Sequence, residues 1–214
     1  MAISRSKKKN ETLVTHIYPD SLISEQYRMI QANIKFSMFD KKSGIFLITS
    51  PSVGEGKSTM AANLAISIAQ QKEKVLLIDA NLRNPILHSL FKISNSCGLT
   101  DVLLGKATFD EAIHHTEIGR LDVLTSGPIL YNPVELLNSK VMQGLVKTVC
   151  QRYDVVLIDS HSVIELTDTK LLANQCDGVI MVIKRGKTTR EKAVEAQKEL
   201  EFSKAKLVGV IFNE

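Results

Sequence analysis

Cysteine is scarce: Cys97, Cys150 and Cys176 are an odd number with no close pair, which excludes a disulfide framework and a CxxC metal site and fits a reducing compartment. Long apolar runs are missing too. Stretches such as 179–183 fall far short of the ~20 residues a membrane-spanning helix needs, and no signal-peptide pattern opens the sequence. The expectation is a chain that meets a membrane only through a partner or surface charge. Charge of one sign is limited: Lys+Arg 27 against Asp+Glu 23 gives +4, too mild for a dedicated nucleic-acid binder. Part of that excess comes from Arg5, Lys7, Lys8 and Lys9 at the amino end, where anionic lipid is one conceivable counter-charge and plain solvation the other. Tyrosine is absent from the last quarter, the four being Tyr18, Tyr27, Tyr131 and Tyr153.

What is present describes a folded protein. The 214 residues, 44% hydrophobic and 23% charged, suit one domain that buries about 70% of its unfolded surface. Residues 1–15 read as a loose basic tail and 16–214 as the domain. Short apolar runs at 45–49, 75–79, 121–125, 155–159, 179–183 and 207–212 read as buried strands. Between the first two, Ala61, Leu64, Ala65 and Ile68 repeat at helical spacing, and 21–36 and 189–202 also read as helices. Strands without in/out alternation, separated by helices, predict an α/β fold: a mostly parallel sheet with helices on both faces.

The first strand runs into Ser50-Pro-Ser-Val-Gly54-Glu-Gly56-Lys57-Ser58-Thr59, which matches the end of the G-x-x-x-x-G-K-[ST] phosphate loop in a strand–loop–helix context. Glycines 54 and 56 let backbone N–H groups turn inward on a polyphosphate, Lys57 reaches its outer phosphates, and the Ser58 hydroxyl suits Mg²⁺. Pro51 stands where the pattern has its first glycine. Two further strands end in carboxylates, Asp79 and Asp159, where open α/β sheets gather ligands. Each would hold Mg²⁺, directly or through water, or accept a proton; taken singly, either is equally a turn former or helix cap.

Together the GEGKST loop, the strand end LLIDANLR, the segment 126–137 with Asn132-Pro133, and the strand DVVLID resemble the cytoplasmic kinase domain of bacterial protein-tyrosine kinases. In Gram-positive bacteria these accompany capsule and exopolysaccharide synthesis as separate polypeptides. The resemblance implies a P-loop NTPase fold that takes ATP and Mg²⁺ and phosphorylates tyrosine in protein substrates. It implies that Gly54, Glu55, Gly56, Lys57, Ser58 and Thr59 hold the nucleotide, with Asn213 facing the adenine. Ser58, Asp79 and Asp159 would organise Mg²⁺, Asp159 through water, and Asp79 would be the base toward the tyrosine hydroxyl, beside Lys57. It further implies a transmembrane adaptor of the chain-length-regulator type, a place at the inner face of the cell membrane through that adaptor, and self-association through Glu25 and Arg28.

The sequence departs from that pattern at several points. D-x-D-x-R becomes Asp79-Ala-Asn81-Leu-Arg83, replacing an ionisable group by an amide. Thr-Pro-Pro after the second carboxylate becomes Ser160-His161-Ser162; three consecutive residues do not converge into a hydrolase triad, and His161 reads as a loop residue near the nucleotide or in solvent. E-x-x-R-x-x-R ends here in Gln31, one cation fewer for homo-oligomers, and Glu25 and Arg28 also suit a solvated pair within one helix. The sequence ends at Asn213-Glu214 without a tyrosine cluster, so acceptors are expected on another protein or among the four tyrosines above. Two other readings stay open: a nucleotide-binding regulator with weakened catalysis, and an ATPase switch of the partitioning or division-site type. The switch proteins carry a lysine five positions before the loop lysine, where this chain has Ser52.

Overall fold

The structure is a computed structural model that describes residues 12–38, 41–129 and 133–214. Arg5, Lys7, Lys8, Lys9, Tyr131 and Asn132 lie outside the described residues. In chain order the elements are α1 (Val14–Ile17), α2 (Leu22–Ser37), β1 (Gly44–Thr49), α3 (Lys57–Gln70), β2 (Val75–Asp79), α4 (Leu87–Phe91), α5 (Leu99–Leu103) and α6 (Phe109–Ala112). They continue as β3 (Ile113–His115), β4 (Leu121–Leu124), α7 (Val134–Leu137), α8 (Lys140–Arg152), β5 (Val155–Asp159), α9 (Thr167–Ala173), β6 (Gly178–Lys184), α10 (Arg190–Phe202) and β7 (Leu207–Asn213).

The strands form one sheet in the order β3-β4-β2-β5-β1-β6-β7, parallel except for the β3–β4 pair. Its two faces bury different residues of the same strands. Ile45, Leu47, Leu76, Ile78, Val156 and Ile158 pack toward α5 to α10, while Phe46, Ile48, Val75, Leu77, Val155 and Leu157 pack toward α2, α3 and α4. Covering both faces is why the strands read as continuous apolar runs. Each such side chain contributes roughly 1.5–3 kcal/mol by leaving water. Helix starts are set by side chains: Ser21, Thr108, Ser139 and Thr189 each accept a hydrogen bond from the backbone three residues on.

Two expectations are corrected. The run 207–212 is not a buried strand: β7 is the sheet edge, and Phe212 is 72% exposed because no strand covers its far side. The loose tail does not extend to residue 15. Thr15 is fully buried, its N–H and hydroxyl donate to Asn63 Oδ1 at 3.0 Å, and its carbonyl accepts from Gln70 Nε2 at 2.9 Å. The segment from Thr12 to Ile17 is thus strapped to α3, the helix that follows the phosphate loop.

Candidate nucleotide and phosphoryl-transfer site

Strand order brings the site together. β5 lies between β2 and β1, with Asp159 opposite both Asp79 and Ile48, so the two carboxylates and the loop after β1 share one edge of the sheet. The loop needs its glycines: Gly54 and Gly56 have φ of 77° and 88°, and a Cβ on Gly56 would lie 2.3 Å from Asn213 Nδ2. Its carbonyls are held from outside. Asn213 Nδ2 donates to Glu55 O at 2.9 Å and Lys187 Nζ to Val53 O at 2.6 Å, while Lys192 Nζ reaches Ser52 Oγ at 3.3 Å. The backbone N–H groups of residues 54–58 have no acceptor among the described residues. With no side chain capping α3 at Gly56, that concave run of amides at the helix start is built for an anion.

Lys57 is buried at the base of this loop, and Ser58 and Thr59 follow in the first turn of α3. Asp79 and Asp159 are fully buried. Asp79 is held by backbone: Oδ1 accepts from Asn81 N at 3.2 Å, and Oδ2 from Ile86 N at 3.1 Å and Leu87 N at 3.0 Å. Burial raises its pKa above the ordinary range despite those donors and Lys57. Asp159 has neither oxygen hydrogen-bonded to the protein. Burial raises its pKa as well, the charge of Asp79 adds to the effect, and Lys57 and Ser58 oppose it. A buried carboxylate without donors is poorly stabilised as an anion, and a divalent cation would supply the missing charge. The residues present therefore fit Mg²⁺ at Ser58 and Asp159, with Asp79 adjoining.

The departures from the expected motif also find places. Asn81 is buried, its side-chain oxygen accepting from Asn84 N at 3.4 Å, a turn contact an aspartate would make as readily. His161 is buried, its Nδ1 3.0 Å from Ser162 Oγ and its carbonyl held by Thr49 Oγ1 at 2.7 Å; since Asp159 bonds neither, these residues form no triad. Burial and Lys57 lower the His161 pKa, which keeps the ring neutral beside the loop. Glu25 and Arg28 pair within α2 at 2.5 Å, and Gln31 is buried toward Ser67, away from the surface.

Three contacts at the site went unread in the sequence. Arg83 Nε contacts Asp168 Oδ2 at 3.1 Å, across 85 residues, and Lys187 and Lys192 brace the loop from the β6–α10 side. Glu55 is buried with its pKa raised by desolvation, opposed by Thr188 and then by Lys187 and Lys192 among others. No spacing rule links positions so far apart; only the strand order β2-β5-β1-β6-β7 does.

A glycine-turned loop of free amides, a buried lysine and two strand-end carboxylates on a parallel sheet define a P-loop nucleotide-binding domain. The chain belongs to the AAA domain family, whose profile matches residues 43–198, and within it to the bacterial tyrosine-protein kinases. It is 45% identical over 210 residues to tyrosine-protein kinase YwqD of Bacillus subtilis (strain 168), covering 98% of this chain and 89% of that one. The chimerical protein CapA2B2 superposes with a TM-score of 0.91 at 38% identity, covering 95% and 89% of the two chains. The kinase domain of Escherichia coli tyrosine kinase ETK gives 0.91 at 30% identity, covering 94% and 79%. A cell division ATPase, MinD of Pyrococcus furiosus, reaches 0.68 at 22% identity, covering 80% and 72%, a likeness of fold alone.

Proposed function

We propose that this tyrosine kinase uses ATP and Mg²⁺ and serves capsular or extracellular polysaccharide biosynthesis, held at the inner face of the cell membrane by a transmembrane adaptor of the chain-length-regulator type. Among the described residues no helix is long and apolar enough to cross a membrane. The observation that carries the metal-nucleotide reading is Asp159: fully buried, without a hydrogen bond, beside Lys57 and Ser58.

The geometry supports a role for each residue. The amides of Gly54 to Ser58 bind and orient the phosphates, Lys57 offsets charge on the transferring group, and Thr59 continues the helix start. Mg²⁺, held by Ser58 and Asp159 with Asp79 nearby, would add positive charge at the phosphate oxygens when bound. A tyrosine hydroxyl has pKa ≈ 10, so transfer near neutrality needs a base, and Asp79 is our assignment because desolvation raises its proton affinity. We assign the adenine to the β7 end beside Asn213, and self-association to the α2 surface carrying Glu25 and Arg28, where the two would exchange their pairing within the helix for pairing between copies. Gln31 is buried within the single chain.

The test is phosphorylation of a Glu-Tyr copolymer by the purified chain with ATP. Transfer should require Mg²⁺ and fall by at least 100-fold in Asp159→Asn. Equal transfer by that variant at low Mg²⁺ would remove Asp159 from the metal site. A search for a binding partner among two-span membrane proteins encoded beside this gene tests the adaptor; binding to none of them would argue against it.

A further inference from the structure

The phosphate loop carries one group whose charge is wrong for its ligand. Glu55 stands between Gly54 and Gly56, and a carboxylate turned toward a polyphosphate would repel it at close range. The fold buries it instead. Its side chain is 1% exposed, neither carboxylate oxygen is hydrogen-bonded among the described residues, and its carbonyl accepts from Asn213 Nδ2 at 2.9 Å. Burial raises its pKa, and the groups that oppose burial are, in order, the Thr188 hydroxyl, Lys187, the backbone of Ser52 and Lys192. Three of those four belong to the connection from β6 into α10.

That connection is tied to the edge of the sheet. Lys187 N and Thr188 N donate to Lys184 O at 3.1 and 2.9 Å, and Arg185 N donates to Asn213 O at 2.9 Å. Thr188 Oγ1 accepts from Lys184 N at 2.9 Å, which leaves its own O–H free to donate. Lys187 and Lys192 are both exposed, yet both lean on the loop: Lys187 Nζ donates to Val53 O at 2.6 Å and Lys192 Nζ lies 3.3 Å from Ser52 Oγ. A Cβ on Gly54 would meet Lys187 Nζ at 2.8 Å, so that ammonium rests on the loop backbone itself. Two like charges on one short loop repel each other, and a long side chain loses rotamer freedom when held to a neutral oxygen. A buried anion beside both offsets these costs. Hydrogen bonds that draw the carbonyls of Val53 and Glu55 outward leave the amides of the loop facing the opposite side, where a polyphosphate sits.

We propose that Glu55 is a positioning residue for nucleotide binding: its buried carboxylate is the counter-charge that keeps Lys187 and Lys192 on the outer oxygens of the phosphate loop, and thereby keeps the amides of Gly54 to Ser58 turned inward. The inference rests on the ATP-dependent reading above. It separates affinity from stability. A buried acid that its surroundings only partly satisfy costs the fold free energy, so a neutral isostere should weaken nucleotide binding without weakening the fold.

The experiment compares the wild type, Glu55→Gln, the double variant Lys187→Met with Lys192→Met, and the triple variant. It reads the Kd of a fluorescent ATP analogue, the kinetics of Glu-Tyr copolymer phosphorylation, and the thermal midpoint of the nucleotide-free protein. Glu55→Gln should raise the Kd and the KM for ATP by about tenfold while kcat changes by less than about threefold, with a midpoint no lower than that of the wild type. In the triple variant, Glu55→Gln should add no more than about twofold to the loss already caused by removing the lysines, because all three act as one unit. An unchanged Kd in Glu55→Gln, effects that multiply in the triple variant, or lost affinity accompanied by a lowered midpoint would each overturn the proposal. The lysine variants approach the same contact from the exposed side, without touching the buried acid. A wild type that binds the analogue but labels no copolymer contradicts the kinase reading alone, and the Kd series still decides the role of Glu55; a wild type that binds no nucleotide overturns both.

Discussion

Asp159 sits where burial and the charge of Asp79 disfavour its anion more than Lys57 and Ser58 stabilise it. Replacing it with Asn removes a buried charge that Lys57 and Ser58 only partly offset, so Asp159→Asn should be more stable than the wild type in EDTA by about 1–3 kcal/mol, read as a thermal midpoint higher by several degrees, even as transfer is lost. The sign with pH follows from the raised pKa. The folded wild type binds more protons than the unfolded chain above the ordinary Asp pKa of about 3.9, so its stability falls as pH rises, and the advantage of the variant should widen from pH 4 to 8. A variant less stable than wild type throughout would mean that Asp159 is satisfied in some way these contacts do not include. Asp79 differs, because three backbone N–H groups hold it. Asp79→Asn should reduce transfer by about 10²–10⁴-fold if it is the base, and full activity would end that assignment. Both carboxylates were legible in the sequence because each ends an apolar strand. Their different environments were not, since donors to Asp79 come from a turn whose path no local pattern reveals.

At the scale of elements, the phosphate loop depends on what presses on it from β7 and the β6–α10 connection. Lys187→Met removes the donor to Val53 O and should raise the KM for ATP about tenfold, or ~1.4 kcal/mol, with a smaller change in kcat; Lys187→Arg should recover most of the loss. An unchanged KM would show that the loop keeps its shape unaided. The strap of α1 onto α3 is a second dependence. Asn63→Ala takes away the acceptor of the buried Thr15 N–H, leaving its hydroxyl only the carbonyl of residue 63, and should cost about 1–3 kcal/mol, with faster hydrogen exchange over residues 12–17. Helical spacing made α2, α3 and α10 readable, whereas β3 is three residues long and β7 carries the apolar composition of a core strand at an exposed edge. The link from Thr15 to Asn63 spans 48 residues and that from Lys187 to Val53 spans 134, so neither leaves a periodic trace.

For the molecule as a whole, fold and family were legible because a parallel sheet covered on both faces and a phosphate loop each leave a local signature. The residue departures all find contacts in the fold: Gln31 is buried, Asn81 accepts from the turn at Asn84, and the Ser160–Ser162 hydroxyls and His161 engage one another and the backbone. None of them removes an atom from the loop, Lys57 or the two carboxylates. The central claim is therefore that this site transfers phosphoryl groups to tyrosine rather than only holding or hydrolysing nucleotide. The most direct measurement follows [γ-³²P]ATP into phosphotyrosine and into free phosphate with the wild type and with Lys57→Met. Phosphotyrosine that needs Mg²⁺ and disappears in Lys57→Met is the predicted result; ATP bound or hydrolysed by the wild type with no phosphotyrosine on any acceptor would contradict it.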